Sequence, residues 1–122
     1  MDDKKISYAL IITIVIRGFS DDVMDAAREA GAKGGTIMYA HGAGLQNETS
    51  FFGISIHPEK EVVLILADSD HKSGIMQAIV RRVGLNSEGA GITFSLPVTE
   101  TAGIAHFNKL EVGENAAESW KI

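Results

Sequence analysis

YALIITIVI, residues 8–16, decides how this chain folds. It is rich in β-branched residues and too uniformly apolar for a surface helix, so it predicts a strand entered from Ile6. Side chains alternate along a strand. Ile6, Tyr8, Leu10, Ile12, Ile14 and Ile16 therefore share one face, while Ile11 and Val15 share the other with Ser7, Ala9 and Thr13. A strand that is apolar on both sides must be covered on both sides. The run is far shorter than the roughly 20 residues of a membrane helix. It also fails as a signal peptide, because MDDKK mixes acids with bases and no small-residue cleavage site follows before Arg17. A cytoplasmic chain is the expectation.

Outward from this strand the elements alternate. SDDVMDAAREAG, 20–31, predicts a helix with Ser20 as N-cap, Asp21 and Asp22 at the positive end of the dipole, and an apolar stripe of Val23, Ala26, Ala27 and Ala30. Gly31 suits the left-handed position beyond its end. GTIMYAH, 35–41, predicts a second strand, FFGISIH, 51–57, a hairpin arm, and EVVLILA, 61–67, a third strand. Asp68, Ser69 and Asp70 offer N-caps for a second helix with a stripe of Ile75, Met76, Ile79, Val80 and Val83, stopped at Gly84. ITFSLPV, 92–98, is the last strand, and Pro97 places it at an edge or ends it there. The order β-α-β-β-α-β predicts an α+β, ferredoxin-like antiparallel sheet with two helices on one face. Its other face is left bare and apolar. Burial in an oligomer is the expected cover, with a tail helix from GENAAESW as the rival.

The composition bounds what such a domain can do. At 122 residues one domain is expected, with a core at 6–98, a long loop at 42–60 and a C-terminal extension at 99–122. The absence of cysteine removes thiol chemistry and Cys-based zinc sites, and a net charge of -5 disfavours nucleic acid and anionic membranes as partners.

Five of the thirteen glycines fall in residues 30–48, and they divide by job. Gly31 ends a helix, while Gly34 and Gly35 ease the corner into a strand. Gly42 and Gly44 instead open a loop that returns only near Lys60, and long loops between neighbouring strands tend to be functional or disordered. A second cluster, EGAG at 88–91, precedes the last strand. Amides at either place can form an anion-binding nest. Neither segment is a Walker motif or a strand-GxGxxG-helix dinucleotide site.

GAKGGTIMYAHGAG, the following Gln46, EVVLILA and EGAGITFSLPV together resemble the P-II signal-transduction proteins in order and spacing, from about Ile6 to Val98. The resemblance implies a homotrimer of ferredoxin-like subunits that binds adenine nucleotides, often with 2-oxoglutarate, in clefts between subunits. An extended loop would then dock onto a transporter or metabolic enzyme in nitrogen or carbon metabolism. On that resemblance Thr36, Ile37 and Leu66 surround adenine; Gly42 and Gly44 lie at the loop base; Gly89, Ala90 and Gly91 approach the phosphates. Gln46 matches the glutamine that helps hold metal, phosphate and 2-oxoglutarate, and Lys60 a lysine that meets the oxoacid carboxylate. Phe51 and Phe52, in the far part of the loop, are the candidate partner-binding residues.

The chain departs from the family pattern where cations are usual. Leu45, Ile92, Gly103 and Ala105 stand at positions of a basic residue, a lysine and two arginines, and Ala90 replaces an aspartate. Charged hydrogen bonds contribute about 1.5–3 kcal/mol each, so the expected effector is AMP, ADP or a cyclic nucleotide rather than ATP. No covalent cofactor is implied. The loop has no tyrosine, so tyrosine nucleotidylylation is not expected there.

His41, His57, His71 and His106 have no ligand-like local spacing, although His57 with Glu59 and Glu61 could hold a metal on the loop. No Ser-His-Asp order, buried carboxylate pair or metal motif points to an enzyme. The alternatives are a ferredoxin-like trimer of the metal-tolerance kind, binding a divalent metal, and a ligand-free scaffold.

Overall fold

The apolar run forms β1 (Tyr8–Ile16), an inner strand, and the rest of the sheet assembles on both sides of it. The computed structural model describes residues 6–43, 49–51, 54–56, 58–87 and 90–103. Along the chain follow α1 (Ser20–Glu29), β2 (Thr36–His41), β3 (Thr49–Phe51), β4 (Ile54–Ile56), β5 (Glu59–Asp68), α2 (Ser69–Val83) and β6 (Gly91–Val98). Four strands make one antiparallel sheet in the order β2-β5-β1-β6, and β3 pairs with β4 in a separate hairpin. This is the ferredoxin-like α+β arrangement expected from the element order, with the hairpin arm inserted between β2 and β5. β6 is an edge strand paired only with β1, a position where Pro97, which has no amide hydrogen to donate, is tolerated.

The face that carries the core is the narrower of the two on β1. Ala9, Ile11 and Val15 join Val63, Ile65 and Ala67 of β5 under Val23, Met24, Ala26 and Ala27 of α1 and Ile75 and Ile79 of α2. Met24 completes the α1 stripe predicted from the sequence. Thr13, fully buried on this face, pairs its hydroxyl with that of Thr93 at 2.9 Å across the β1–β6 ladder. Buried hydroxyls are tolerated when they satisfy one another.

The opposite face is apolar, and among the described residues no helix packs on it. Register places Leu10, Ile12 and Ile14 between Leu66, Leu64 and Val62 on β5 and Leu96, Phe94 and Ile92 on β6. Ile92 and Leu96 are about half exposed, as is Met38 of β2 on the same face. The segment expected to rival an oligomer for this face, 113–120, lies outside the described residues.

Helix ends are closed by specific groups. Gly31 adopts φ +112°, its amide donates to Arg28 and the amide of Ala32 to Ala27, which is the Schellman closure. Asp68 is the N-cap of α2, its carboxylate accepting from the His71 amide at 3.1 Å and the ring Nδ1 at 2.8 Å. At the start of α1 the sequence reading needs correction. Ser20 lies in the first turn and caps nothing; the cap position is Phe19, without a side-chain bond. The acceptor comes instead from β5, where the Glu61 carboxylate takes the Ser20 amide at 2.9 Å. Only the tertiary fold brings these two groups together.

Candidate functional site

The strand ends at one end of the sheet define the site. Antiparallel register aligns the C-terminal end of β2 with the N-terminal end of β5, Ala40 opposite Lys60 and His41 opposite Glu59. Lys60 in turn faces Ile16 at the end of β1, and Val15 faces Gly91 at the start of β6. Gly42 and Gly91, one from each glycine cluster, therefore open at the same end of the sheet. They do so on its opposite edges. Strands lie about 4.8 Å apart, so β2 and β6 are separated by roughly 14 Å within one chain.

At the β2 edge the loop base is tightly drawn. The Gly42 amide donates to Pro58 at 2.7 Å, and a Cβ on Gly42 would stand 3.2 Å from Cε of Lys60, so the lysine stem lies along the glycine. A cleft of about 440 Å³ opens there, lined by Arg17, Tyr39, Ala40, His41, Glu59 and Lys60. Arg17 and Glu59 form an ion pair across the ends of β1 and β5, supported by the Arg17 amide donating to the Glu59 carbonyl at 3.2 Å. That carboxylate raises the Arg17 pKa further.

Behind the cleft sits Glu61, 5% exposed. Burial pushes its pKa up, but bonds from the Ser20 hydroxyl and amide and the Gly18 amide, with Arg17 nearby, hold it below the ordinary carboxylate range. Glu59 and Glu61 are thus engaged with Arg17 and with the end of α1, which disfavours the metal reading built on them; His57 lies outside the described residues.

At the β6 edge, Gly91 has a structural reason to be glycine before any ligand is considered. Its φ is +142°, and a Cβ would stand 2.3 Å from the Ile14 carbonyl oxygen. Ala90 precedes it, its amide bonded to Ser87 at 3.3 Å. Ile92, where the resemblance expects lysine, stands on the bare apolar face opposite Ile14.

The remaining expected residues fall elsewhere or lie outside the described residues. Thr36 and Leu66 share the helix-free side on neighbouring strands, while Ile37 points to the helix side opposite Val63. Thr36 is six residues from Gly42 along the strand direction, or about 20 Å. Leu66 also lines a second cleft, of about 320 Å³, with Tyr8, Gly31, Lys33, Asp68 and His71. Phe51 ends β3 opposite Ile54. Gly44, Gln46, Phe52 and Gly89 lie outside the described residues, as does Leu45. Arg17 and Tyr39 are not among the residues expected from the sequence, and Glu59 enters there only in the metal reading. The signal in the sequence is the position of Arg17 directly after the first apolar strand and of Glu59 two residues before the third strand as read there.

An antiparallel ferredoxin-like sheet whose one apolar face has no helix on it among the described residues, a β3–β4 hairpin between β2 and β5 in the chain, and glycine turns at one end define a class of small α+β domain. Within it, residues 9–106 match the family model "Nitrogen regulatory protein P-II". The chain belongs to the P-II family. Among solved structures it is similar to Arabidopsis thaliana PII bound to citrate, with 22% identity, a TM-score of 0.60, and coverage of 75% of this chain and 78% of that one. At that identity the likeness speaks for the fold. No curated protein matches by sequence. Among the described residues, no helix is long and apolar enough to cross a membrane.

Proposed function

We propose that this chain is a regulator rather than an enzyme, binding a small anionic effector between subunits and passing the signal to a partner protein through residues 42–60. The observation that carries this reading is the placement of the two glycine turns at the same end of the sheet but on opposite edges. One chain cannot close a site from both; the β2 edge of one copy beside the β6 edge of the next can. The bare apolar face supplies the driving force for such an assembly, since exposed apolar patches of this kind mark interaction surfaces, and a homotrimer is the arrangement we infer.

The effector is an adenine nucleotide, AMP or ADP rather than ATP, with 2-oxoglutarate or another carboxylate as co-effector. Thr36 and Leu66 would contact the base from the helix-free side, with Ile37, on the helix side, shaping the strand beside them. Amides of Gly42, Gly44, Gly89, Ala90 and Gly91 would meet the phosphates, and Gln46 and Lys60 the carboxylate. Phe51 and Phe52 would meet the target, a transporter or metabolic enzyme. Amides and one lysine suit few negative charges better than a triphosphate. The citrate bound to the Arabidopsis protein is consistent with a carboxylate effector. Residues 6–98 form the core of this one domain in the proposal, and the chain acts in the cytoplasm.

Phe94→Asp tests the reading. It puts a charge at the centre of the bare face, opposite Ile12. Sedimentation should show monomers, and calorimetry with AMP and ADP should show binding lost in the same variant. A monomer that still binds nucleotide with wild-type affinity refutes a site shared between copies.

A further inference from the structure

We propose that the Arg17–Glu59 pair is an internal latch on the anion cleft: Glu59 holds the guanidinium that, once released, joins Lys60 in gripping an effector carboxylate or phosphate. This rests on the anionic-effector reading above and adds to it the group the ligand must displace.

Three observations carry it. First, Arg17 and Lys60 leave adjacent strands at adjacent register positions and line one cleft, yet their situations differ. Arg17 is already bound to a carboxylate, whereas Lys60 makes no ion pair among the described residues. The Glu59 carboxylate has the chemistry of the proposed ligand and occupies one of the two cations. Second, both side chains of the pair are 61% exposed. An exposed pair of this kind is held weakly and screened by salt, so a free anion can compete for the guanidinium. A planar fork of donors suits an incoming carboxylate as well as it suits Glu59. Third, the pair sits where its opening reaches the loop. Glu59 is the first residue of β5, next to Pro58 whose carbonyl holds the Gly42 amide. Displacing Glu59 frees a side chain at the base of the arm, the two-state element through which binding would change the arm's affinity for a partner.

The test uses the full chain and calorimetric titration with citrate, 2-oxoglutarate and inorganic phosphate, each with and without ADP. E59Q should tighten binding of the responding anion about two- to fivefold, the reach of an exposed ion pair. R17Q should weaken it by about tenfold or more, as loss of a charged hydrogen bond does. In R17Q/E59Q the gain from E59Q should vanish, because Glu59 acts only through Arg17. Thermal unfolding of all three should match wild type, which separates an effect on the cleft from one on folding.

If E59Q leaves affinity unchanged while wild type binds, Glu59 does not compete and the latch is wrong, with the effector reading intact. An equal gain in the R17Q background also overturns it, by showing general charge repulsion. If no probe binds wild type or E59Q, the anion reading falls and takes the latch with it.

Discussion

Removing Glu61 should destabilise the fold by more than its charge suggests, because this carboxylate serves as the missing cap of α1. In Glu61→Ala the Ser20 amide and hydroxyl and the Gly18 amide lose their acceptor. Bonds to a charged group contribute about 1.5–3 kcal/mol each, and relief of the buried carboxylate's desolvation returns several kcal/mol. Loss of a helix cap alone costs about 0.5–2 kcal/mol. Adding the donors left without a partner, the net should be about 2–4 kcal/mol. At this chain length each kcal/mol is about 4 °C in Tm, so Tm should fall by about 8–16 °C. Glu61→Gln keeps one acceptor oxygen and should lose about half as much.

Urea unfolding followed by circular dichroism measures this, with an unchanged slope showing that the midpoint shift is a stability change. The pH dependence has a defined sign. The folded-state pKa of Glu61 lies below its ordinary value of 4.5. Its contribution is therefore complete above that value and is lost as pH falls through the folded pKa. The gap between wild type and Glu61→Ala should hold from about pH 5.5 to 8 and shrink in stronger acid. A variant within about 0.5 kcal/mol of wild type at pH 7, the range of ordinary surface changes, would refute the capping role.

Other outcomes follow from the same geometry. Gly91→Ala, which forces a Cβ onto the Ile14 carbonyl at φ +142°, should cost about 2–4 kcal/mol in urea unfolding whether or not nucleotide is present. Asp68→Ala removes the α2 cap and should cost about 1 kcal/mol. Burial raises the Asp68 pKa, but its bonds to the His71 ring and amide outweigh this and lower it, so the loss should be seen at neutral pH and fade in acid. Arg82→Ala breaks the two bonds, 2.9 and 2.8 Å, that tie α2 to Glu29 of α1. Because that pair is exposed, Tm should stay within measurement scatter.

Much of the fold could be read locally. Two periodicities, helix stops at Gly31 and Gly84, the Asp68 cap and the edge-seeking Pro97 each depend on chemistry within a few residues. They specify the element order, and that order admits few topologies. The doubly apolar first strand likewise implied a second covering for the sheet. Recognition of the family drew on the order and spacing of the glycines, Gln46 and the strands, all of them local sequence features.

Three things waited for the tertiary structure. The cap of α1 is a carboxylate 41 positions away from the helix it closes, and no local pattern could distinguish it from Ser20. Gly91 reads in sequence as a phosphate-approach glycine, whereas contact with the β1 backbone already demands it. Arg17 and Glu59, 42 residues apart, become neighbours only because β1 and β5 pair antiparallel in one register. Local chemistry sets each element's start, stop and faces; which charges meet at the strand ends is set by register, a property of pairs of strands that no single segment contains.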